Sequence, residues 1–310
     1  MSLKILVIGA GNFVGRALTT ALGVLQDRPE SAFFSAEIIA PNRLHSMEFM
    51  QQLENSDSVI NCTVGAPTTI LDNAKILYAA AAKLAIPPRI VHLSSMTVYG
   101  GAIGKIDENA ALSLNFGAYG AAQVAAERLA AEYSRSVVLR PGCEYGPDCP
   151  QWSGRVARWL LARRLGNLGN AGSGSCNLLY IGDLVSAILQ GLTAPQVEGQ
   201  SFNLASNVLT WNDYFVQFAA ALGIASVPLI SAQTLRLESR LFAPPLKIIE
   251  LIGNKLGFDP ARLPPAIPPS LLRTCRQDIQ LDARKAESLL GMQWTPLATG
   301  MAAAAAYYRR

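Results

Sequence analysis

Short apolar runs alternate with stretches of helical periodicity along the first half of the chain. The run LKILVI at residues 3–8 is rich in branched side chains, and the helix-like stretch RALTTALGVL follows it after a glycine turn. Short apolar runs between turn signals are typical of buried strands, and their alternation with helices predicts a parallel sheet covered on both faces. The predicted strands are residues 3–8, 37–40, 58–62, 89–95 and 136–141, and the predicted helices are about 16–25, 46–53, 71–84 and 118–133.

The pattern loosens after Tyr145-Gly146-Pro147. A helix is predicted near residues 153–164, followed by the glycine-rich loop GNLGNAGSGS and by regular structure in LLYIGDLVSAILQGL. Most of the later prolines stand among leucines and isoleucines in residues 228–275, and proline interrupts helices, so short broken helices are expected there. The predicted domains are 1–147, with the sheet re-entered at about 176–205, and a substrate-binding part formed by 148–175 and 206–310.

Three glycines mark the turn between the first predicted strand and its helix. Gly9, Gly11 and Gly15 allow the backbone to approach a pyrophosphate and present amides at the positive end of a helix. The spacing is G-x-G-x-x-x-G rather than G-x-G-x-x-G. In its strand and helix context the motif favours a dinucleotide site over a purely structural turn. The predicted fold class is α/β, a Rossmann-type doubly wound parallel sheet with a smaller, mainly helical C-terminal substrate domain.

The end of the second predicted strand bears on the choice of cofactor. An NAD site usually has an acidic residue there for the ribose hydroxyls, whereas this chain has Pro41-Asn42-Arg43. Arg43 suits the 2′-phosphate of NADP, and the alternative is a solvated loop cation. NADP is therefore favoured, and NAD stays possible. Between the first helix and Asp57 there is room for little more than one strand and one helix, so one strand is expected to be missing and the adenine pocket to be incomplete.

Composition and charge narrow the function classes. Of the 310 residues 50% are apolar and 15% are charged, and the net charge of +4 forms no basic stripe, so nucleic acid is not an expected partner. The cysteines are odd in number without a C-x-x-C pair, and the only histidines are His45 and His92, so buried reduced thiols are expected and a metal site is not. The N-terminus lacks a secretory pattern and no apolar run could span a membrane, which predicts a cytoplasmic protein.

Six segments carry a resemblance to a known family. In order, they are LSSMTVYG, YGAAQVAAE, LRPGCEYGP, LYIGDLVSAIL, SFNLAS and LDARKAESLLG. Together they resemble the landmarks of the extended short-chain dehydrogenase/reductase family, which includes NAD-dependent epimerases and dehydratases and 3β-hydroxysteroid dehydrogenases, and they cover nearly the whole chain. The resemblance implies that Ser95 binds the substrate oxygen and that Tyr119 is the general acid/base, helped by a lysine four residues later that lowers the pKa of the phenol.

Gln123 stands in the lysine position of that pattern. An amide has no charge to lower the pKa of Tyr119, but it can hydrogen-bond the nicotinamide ribose, while Tyr119 polarises a carbonyl as a neutral donor and solvent supplies the proton. The alternative is that Tyr119 is a helix N-terminal aromatic residue in a degenerate site. Asn12 is another departure, because many relatives have glycine there. Asparagine tolerates a positive φ better than most residues.

The resemblance implies further contacts. The cofactor is expected at Gly9, Gly11, Asn12, Phe13, Val14, Gly15, Asn42, Arg43, Thr63, Val64 and Pro141. The substrate is expected at Met96, Thr97, Glu144 and Tyr145, beside the catalytic residues Ser95, Tyr119 and Gln123. GSGSCNLLYIGD has no arginine to bind a diphosphate, and residues 228–275 are rich in proline and leucine, so an apolar carbonyl or hydroxyl compound is favoured over a nucleotide sugar. An anionic substrate stays open because of Arg236, Arg240, Arg273 and Arg276.

Two functions follow from these observations. The first is an NADP-dependent oxidoreductase or epimerase, in which a hydride passes between the nicotinamide and a substrate carbon near Ser95 and Tyr119. The second is a redox-silent member that catalyses a non-redox isomerisation or cyclisation, or that binds a ligand or partner, and the missing lysine is its best argument. Relatives often form dimers through alanine-rich helices, here about 71–84 and 118–133, so a homodimer is a possible assembly.

Overall fold

The computed structural model describes residues 3–26, 34–115, 117–241 and 266–309. The chain divides into two compact units. The first unit comprises Met1–Gly142, Leu179–Ser206 and Leu281–Thr295, and the second comprises Cys143–Leu178, Asn207–Gln280 and Pro296–Arg310.

A six-stranded sheet forms the centre of the first unit. In spatial order its strands are β2 (Phe34–Ile39), β1 (Leu3–Ile8), β3 (Ser58–Asn61), β4 (Arg89–Leu93), β6 (Ser136–Pro141) and β9 (Gln200–Leu204). All neighbouring strands are parallel. The strand order reverses between β1 and β3, and the carboxyl ends at such a reversal form the ligand crevice of doubly wound sheets. The predicted fold class is confirmed.

Helices cover both faces of this sheet. They are α1 (Phe13–Gln26), α2 (Met47–Glu54), α3 (Pro67–Ala81), α4 (Ala118–Ala131), α6 (Ile181–Thr193) and α10 (Arg284–Leu289), and a short strand, β5 (Gly104–Ile106), precedes α4. Leu18 of α1 and Leu184 of α6 belong to one core with Val91. Leu77 of α3 and Ala126 of α4 belong to the other. Both faces of the strands are therefore buried, which explains their nearly continuous apolar runs.

The sheet is narrower on the β2 side than a standard doubly wound sheet. Among the described residues only β2 and α2 lie between α1 and β3. As the sequence predicted, the described sheet has no strand beyond β2.

The second unit contains a three-stranded sheet and several helices. The sheet has the order β10 (Asn207–Thr210), β8 (Ser175–Tyr180) and β7 (Cys143–Tyr145), with β10 and β8 antiparallel. The helices are α5 (Val156–Leu161), α7 (Trp211–Ala221), α8 (Ala232–Leu241), α9 (Leu271–Thr274) and α11 (Leu297–Tyr308), and the strand β11 (Ile279–Leu281) follows α9. Within the described ranges no helix has the length and apolar character needed to cross a membrane.

Several predicted boundaries were wrong for identifiable reasons. β2 begins at Phe34 rather than at residue 37, and β4 ends at Leu93 rather than at 95, because Ser95 instead caps a 3₁₀ turn at Met96–Tyr99. α3 begins at Pro67, since proline fits the first turn of a helix. The helix predicted near 153–164 is a π-helix followed by α5, which ends at Leu161. Of the short broken helices predicted over residues 228–275, α8 and α9 occur in the described parts, and residues 242–265 lie outside the described residues.

Candidate active site

In the glycine turn after β1, a side chain at Gly9 or Gly15 would collide with the backbone, whereas a side chain at Gly11 would not. Gly9 has a φ of +89°, and a Cβ there would lie 2.8 Å from the Cys62 carbonyl oxygen. A Cβ on Gly15 would collide with the carbonyl oxygen of Gly9, so this residue permits close packing of α1 on the strand. A Cβ on Gly11 would meet nothing within 4 Å. The chain therefore needs glycine at positions 9 and 15 for its own packing, whereas Gly11 leaves space for a ligand.

The Asn12 side chain caps α1 and connects the glycine turn to Cys62, the residue after β3. Its Oδ1 accepts a hydrogen bond from the Gly15 N–H at 2.9 Å, and its Nδ2 donates to the Cys62 carbonyl at 2.5 Å. Asn12 does not have a positive φ, so the explanation given for it from the sequence was wrong. The first turn of a helix leaves N–H groups without intrahelical partners, here those of Phe13 and Val14. Such groups form an anion site at the positive end of the helix.

The other predicted cofactor residues follow the carboxyl ends of neighbouring strands. Asn42 and Arg43 lie in a 3₁₀ turn at Pro41–Arg43, directly after β2, and exposed Arg43 forms an ion pair with Glu48 of α2. Thr63 and Val64 follow β3, and the Thr63 N–H donates to the Asn61 Oδ1 at 3.1 Å. Pro141 is the last residue of β6. Because the strands are parallel, these residues lie along one edge of the sheet.

Ser95 and Tyr119 lie on neighbouring parts of this edge. Ser95 caps the Met96–Tyr99 turn, where its Oγ accepts a hydrogen bond from the Thr97 N–H at 3.2 Å. A Cβ on Gly120 would lie 3.0 Å from the Thr97 carbonyl oxygen, so the first turn of α4 packs directly on this 3₁₀ turn. Met96 and Thr97 are both half-buried. Tyr119 precedes Gly120, and the fold thus brings the predicted serine and tyrosine to one corner of the first unit.

Gln123 contacts Tyr119 as the helical spacing predicts. The Gln123 Nε2 donates to the Tyr119 hydroxyl oxygen at 3.1 Å. Tyr119 is 38% exposed, whereas Gln123 is only 1% exposed. The Gln123 Oε1 is buried and has no hydrogen-bond partner within the described ranges. A buried acceptor that lacks a donor fits a ligand hydroxyl, and together with the space at Gly11 it makes these residues suitable for a dinucleotide.

A buried polar network behind this corner had no role in the sequence-based prediction. The Ser94 hydroxyl donates to Glu127, which also accepts from Arg140, with 2.7 Å between Nη2 and Oε2. Arg140 donates to the Tyr99 hydroxyl at 2.7 Å, and Tyr99 donates to Asn203 at 2.6 Å. All five residues are buried. Two sequence features could have indicated this network: Glu127 lies one helical turn after Gln123, and Ser94 precedes Ser95.

Burial also fixes the protonation of two groups near β4. Desolvation raises the pKa of Tyr99 to about 12, so its hydroxyl stays protonated. Desolvation lowers the pKa of His92 to about 4, so this imidazole is neutral at pH 7. The His92 Nδ1 lies 3.3 Å from the Asn61 Nδ2, which can only donate, so Nδ1 is the acceptor. His92 is thus a buried core residue, as the sequence predicted.

Glu144 and Tyr145, the other predicted substrate residues, belong to the second unit. Glu144 is half-buried on β7 between two buried neighbours, Cys143 and Tyr145. Burial raises the pKa of the Glu144 carboxyl to about 7. This carboxyl is therefore protonated in part near neutrality. All five cysteines of the chain are buried thiols that form no disulfide bond, as expected.

A parallel sheet whose strand order reverses above a glycine turn is the architecture of dinucleotide-dependent α/β enzymes. The family model described as the NAD dependent epimerase/dehydratase family matches residues 5–205, and the chain belongs to this family. It is accordingly an NAD(P)-dependent enzyme of the epimerase and oxidoreductase class. No curated protein gives a significant match.

Solved structures show the same fold over nearly the whole chain. Human epimerase family protein SDR39U1 (isoform 2) with NADPH has a TM-score of 0.73 at 17% identity, covering 98% of this chain and 99% of that one. UDP-glucuronic acid 4-epimerase from Bacillus cereus, in complex with UDP-glucuronic acid and NAD, has a TM-score of 0.71 at 18% identity, covering 99% of both chains. MoeE5, in complex with UDP-glucose and NAD, has a TM-score of 0.70 at 21% identity, covering 99% of this chain and 98% of that one.

Proposed function

We propose that the protein is an NADP-dependent oxidoreductase or epimerase that acts on a carbonyl or hydroxyl group of a mainly apolar substrate. The main support for this proposal is the hydrogen bond from Gln123 to Tyr119, in the corner of the first unit that also contains Ser95. It keeps the phenol in place with an amide where the family pattern has a lysine. The buried Oε1 of the same amide then has a role as the acceptor for a ribose hydroxyl.

The glycine turn and the strand ends would bind the cofactor. The Phe13 and Val14 N–H groups would bind the pyrophosphate, Gly11 would leave room for it, and Asn12 holds the turn in shape. Arg43 would bind the 2′-phosphate, with Asn42 beside it, because a guanidinium suits a phosphate; of the similar structures the human one contains NADPH and the other two contain NAD. Thr63, Val64 and Pro141 would line the rest of the edge. When bound, the cofactor donates or accepts the hydride.

The reaction would place the substrate oxygen between Ser95 and Tyr119. Both hydroxyls donate hydrogen bonds to a carbonyl oxygen and stabilise the negative charge that develops on it. Tyr119 acts as a neutral donor, because the Gln123 amide has no charge with which to favour its phenolate. Since Tyr119 is 38% exposed, solvent can reach this corner and supply the proton to the substrate oxygen.

The second unit supports an apolar substrate. No lysine or arginine among its described residues is buried, whereas Trp211, Tyr214, Phe215 and Phe218 are. UDP-glucose and UDP-glucuronic acid, which occur in two of the similar structures, carry a diphosphate that requires cations. We therefore assign an apolar carbonyl or hydroxyl compound to Met96, Thr97, Glu144 and Tyr145. We further propose a homodimer formed through α3 and α4. A cytoplasmic location is also proposed, and five cysteines that form no disulfide bond support it.

Titration with the four nicotinamide cofactors tests the proposal. We expect NADPH and NADP to bind at micromolar concentration and more tightly than NADH and NAD, as followed by nicotinamide fluorescence and calorimetry. Tyr119→Phe is expected to keep NADPH binding and to abolish reduction of ketones by the purified enzyme. If no cofactor binds, or if Tyr119→Phe reduces ketones as fast as the parent, the proposal is wrong.

The redox-silent function is the second candidate, and the uncharged Gln123 favours it. A member of this kind would bind a ligand in the same corner without hydride transfer. It predicts no turnover of any ketone or alcohol and no dependence of ligand binding on Tyr119, and a failure of all four nicotinamide cofactors to bind would favour it.

A further inference from the structure

The segment 94–99, which contains Ser95, is held at both ends by one buried ion pair. Its first residue, Ser94, donates its hydroxyl to the Glu127 Oε1 at 2.5 Å. The hydroxyl oxygen of its last residue, Tyr99, accepts a hydrogen bond from the Arg140 Nη1 at 2.7 Å. Glu127 and Arg140 are joined to each other, with 2.7 Å between Oε2 and Nη2 and 3.1 Å from Nε to each carboxylate oxygen. The two partners of the pair thus each hold one end of the segment.

Glu127 also connects this segment to the helix that contains Tyr119. Tyr119, Gln123 and Glu127 are spaced four residues apart on α4, so they share one face of the helix. The first turn of α4 packs on the middle of the segment 94–99, and Glu127 holds the first residue of the segment. Two contacts, one on each side of Gln123, therefore fix the helix against the segment.

Stability is a poor explanation for an ion pair at this place. Glu127 is 4% exposed and Arg140 is 5% exposed, and a buried pair often stabilises no more than apolar side chains of the same size, because both charges lose their water. The pair does provide fixed directions, since the planar guanidinium contacts Glu127 through Nε and Nη2 and Tyr99 through Nη1. Catalytic groups need such fixed positions, because a small displacement of reacting atoms lowers the rate strongly.

We propose that Glu127 and Arg140 are positioning residues, whose ion pair holds the segment 94–99 at both ends and so keeps the Ser95 hydroxyl in place relative to Tyr119. Both residues are buried and act through the ends of the segment. This inference rests on the proposed function, which places the substrate oxygen between the serine and the tyrosine. It extends the site from the two hydroxyls that touch the substrate to the ion pair behind them.

Two substitutions each release one end of the segment, and each has a matched control at the amino ends of the strands, the opposite edge of the sheet. Ser94→Ala removes the hydroxyl of the first residue, and its control Ser136→Ala removes a buried hydroxyl that donates to a main-chain carbonyl at 2.6 Å. Tyr99→Phe removes the hydroxyl of the last residue, and its control Tyr133→Phe removes a buried hydroxyl that donates to a main-chain carbonyl at 2.7 Å. The controls lose a hydrogen bond of the first unit that does not involve the ion pair.

Residue-resolved amide hydrogen exchange of the purified full-length protein measures whether the segment is held. The Val98 and Gly100 N–H groups donate to carbonyls within the segment at 3.2 and 3.1 Å. We expect these two amides to exchange about tenfold faster or more in Ser94→Ala and in Tyr99→Phe, and within about twofold of the parent in both controls. No acceleration in the two variants, or the same acceleration in their controls, would overturn the proposal.

Kinetics with NADPH and a panel of aryl ketones measures what the fixed segment does for the reaction. We expect kcat to fall about tenfold or more in Ser94→Ala and Tyr99→Phe, because a displaced serine hydroxyl stabilises the transition state less. KM and the Kd of NADPH should stay within about twofold of the parent, and both controls should keep the parental kcat. Thermal unfolding shows that each variant is folded at the assay temperature.

An unchanged kcat in both folded variants would overturn the positioning role. Failure of the proposed function gives a different result. If the parent binds no NADPH or reduces none of the ketones, the oxidoreductase function falls, whereas the exchange rates still decide whether the ion pair keeps the segment that contains Ser95 in place.

Discussion

The Ser94 hydroxyl donates to the Glu127 carboxylate across 2.5 Å, directly behind the corner that contains Ser95 and Tyr119. Because Glu127 is also paired with buried Arg140, its loss leaves a cation without a carboxylate partner in the core. We predict that Glu127→Gln lowers the free energy of unfolding by about 3–5 kcal/mol. Ser94→Ala should lower it by about 1.5–3 kcal/mol, the usual contribution of a hydrogen bond to a charged group.

Urea denaturation measures both effects, and Glu132→Gln on the exposed end of the same helix is the control, expected within about 0.5 kcal/mol of the parent. A change of less than 1 kcal/mol for Glu127→Gln would contradict the network. Such a result would mean that water solvates this pair in the folded protein.

Gly11 provides a test of the cofactor site that leaves the fold unchanged. A Cβ at this position meets no protein atom, so Gly11→Ala should unfold at the same temperature as the parent. It should nevertheless weaken NADPH binding about tenfold or more, because the methyl group occupies space that the pyrophosphate needs. Gly23→Ala in α1, where a Cβ also meets nothing within 4 Å, should bind NADPH normally. Unchanged affinity in Gly11→Ala, measured by calorimetry, would exclude the cofactor from this turn.

Gln123→Lys should restore the missing charge beside Tyr119. The Gln123 amide nitrogen lies 3.1 Å from the phenol oxygen, so an ammonium group can approach the same atom and lower the pKa of the phenol. We expect NADPH-dependent reduction of aryl ketones to rise by about tenfold or more. Gln123→Met, which is similar in size and uncharged, should show no gain. A folded, NADPH-binding Gln123→Lys protein without a gain would favour the redox-silent function.

Glu144 should make the protein less stable as the pH rises. Its pKa is about 7 in the folded protein and about 4.5 in the unfolded chain, so the folded state binds more protons between these values. Its contribution to stability is complete below pH 4.5 and is lost as the pH rises through 7. We predict that Glu144→Gln raises the unfolding temperature at pH 8.5 and has little effect at pH 4.5. An equal effect at both pH values, measured by thermal unfolding, would show that Glu144 is charged throughout.

His92 should have the opposite pH dependence. Its pKa is lowered from 6.5 to about 4 by burial, so the unfolded chain binds more protons in this range. The stability that depends on neutral His92 is present above pH 6.5 and is lost as the pH falls toward 4, by up to about 3 kcal/mol. The Glu144→Gln variant lacks the opposing titration of Glu144. In this variant, the free energy of unfolding measured by chemical denaturation should fall as the pH is lowered from 6.5 toward 4. His92→Phe in that background should flatten the curve, and a persistent decrease would point to another group.

The sequence predicted most of the fold because its signals are local. Branched apolar runs and the turn at Gly9, Gly11 and Gly15 specified the strands and the first crossover. The distance to Asp57 was enough to predict that the described sheet has no strand beyond β2. The pair formed by Tyr119 and Gln123 was also accessible, because residues four apart share a helix face.

Features that depend on distant contacts could not be predicted in this way. The π-helix is braced by a hydrogen bond from the Tyr308 hydroxyl to the carbonyl of Cys149, more than 150 residues earlier, and no local pattern encodes that hydrogen bond. The network from Ser94 to Asn203 joins four separate segments. For Asn12 the sequence suggested a role for the backbone conformation, whereas the structure shows two hydrogen bonds of its side chain. These bonds depend on the positions of Gly15 and Cys62 in space, which the sequence does not give.

The position of β2 at the outside of the described sheet also bears on solubility. An edge strand presents unpaired N–H and C=O groups that can add a strand from another molecule, which is a route to aggregation. Ile38 is exposed on this strand, and exposed Glu37 stands next to it in the middle of the edge. A charge in that place disfavours the pairing of a second molecule. At the outer strand of the described sheet, Glu37 therefore opposes self-assembly into fibres.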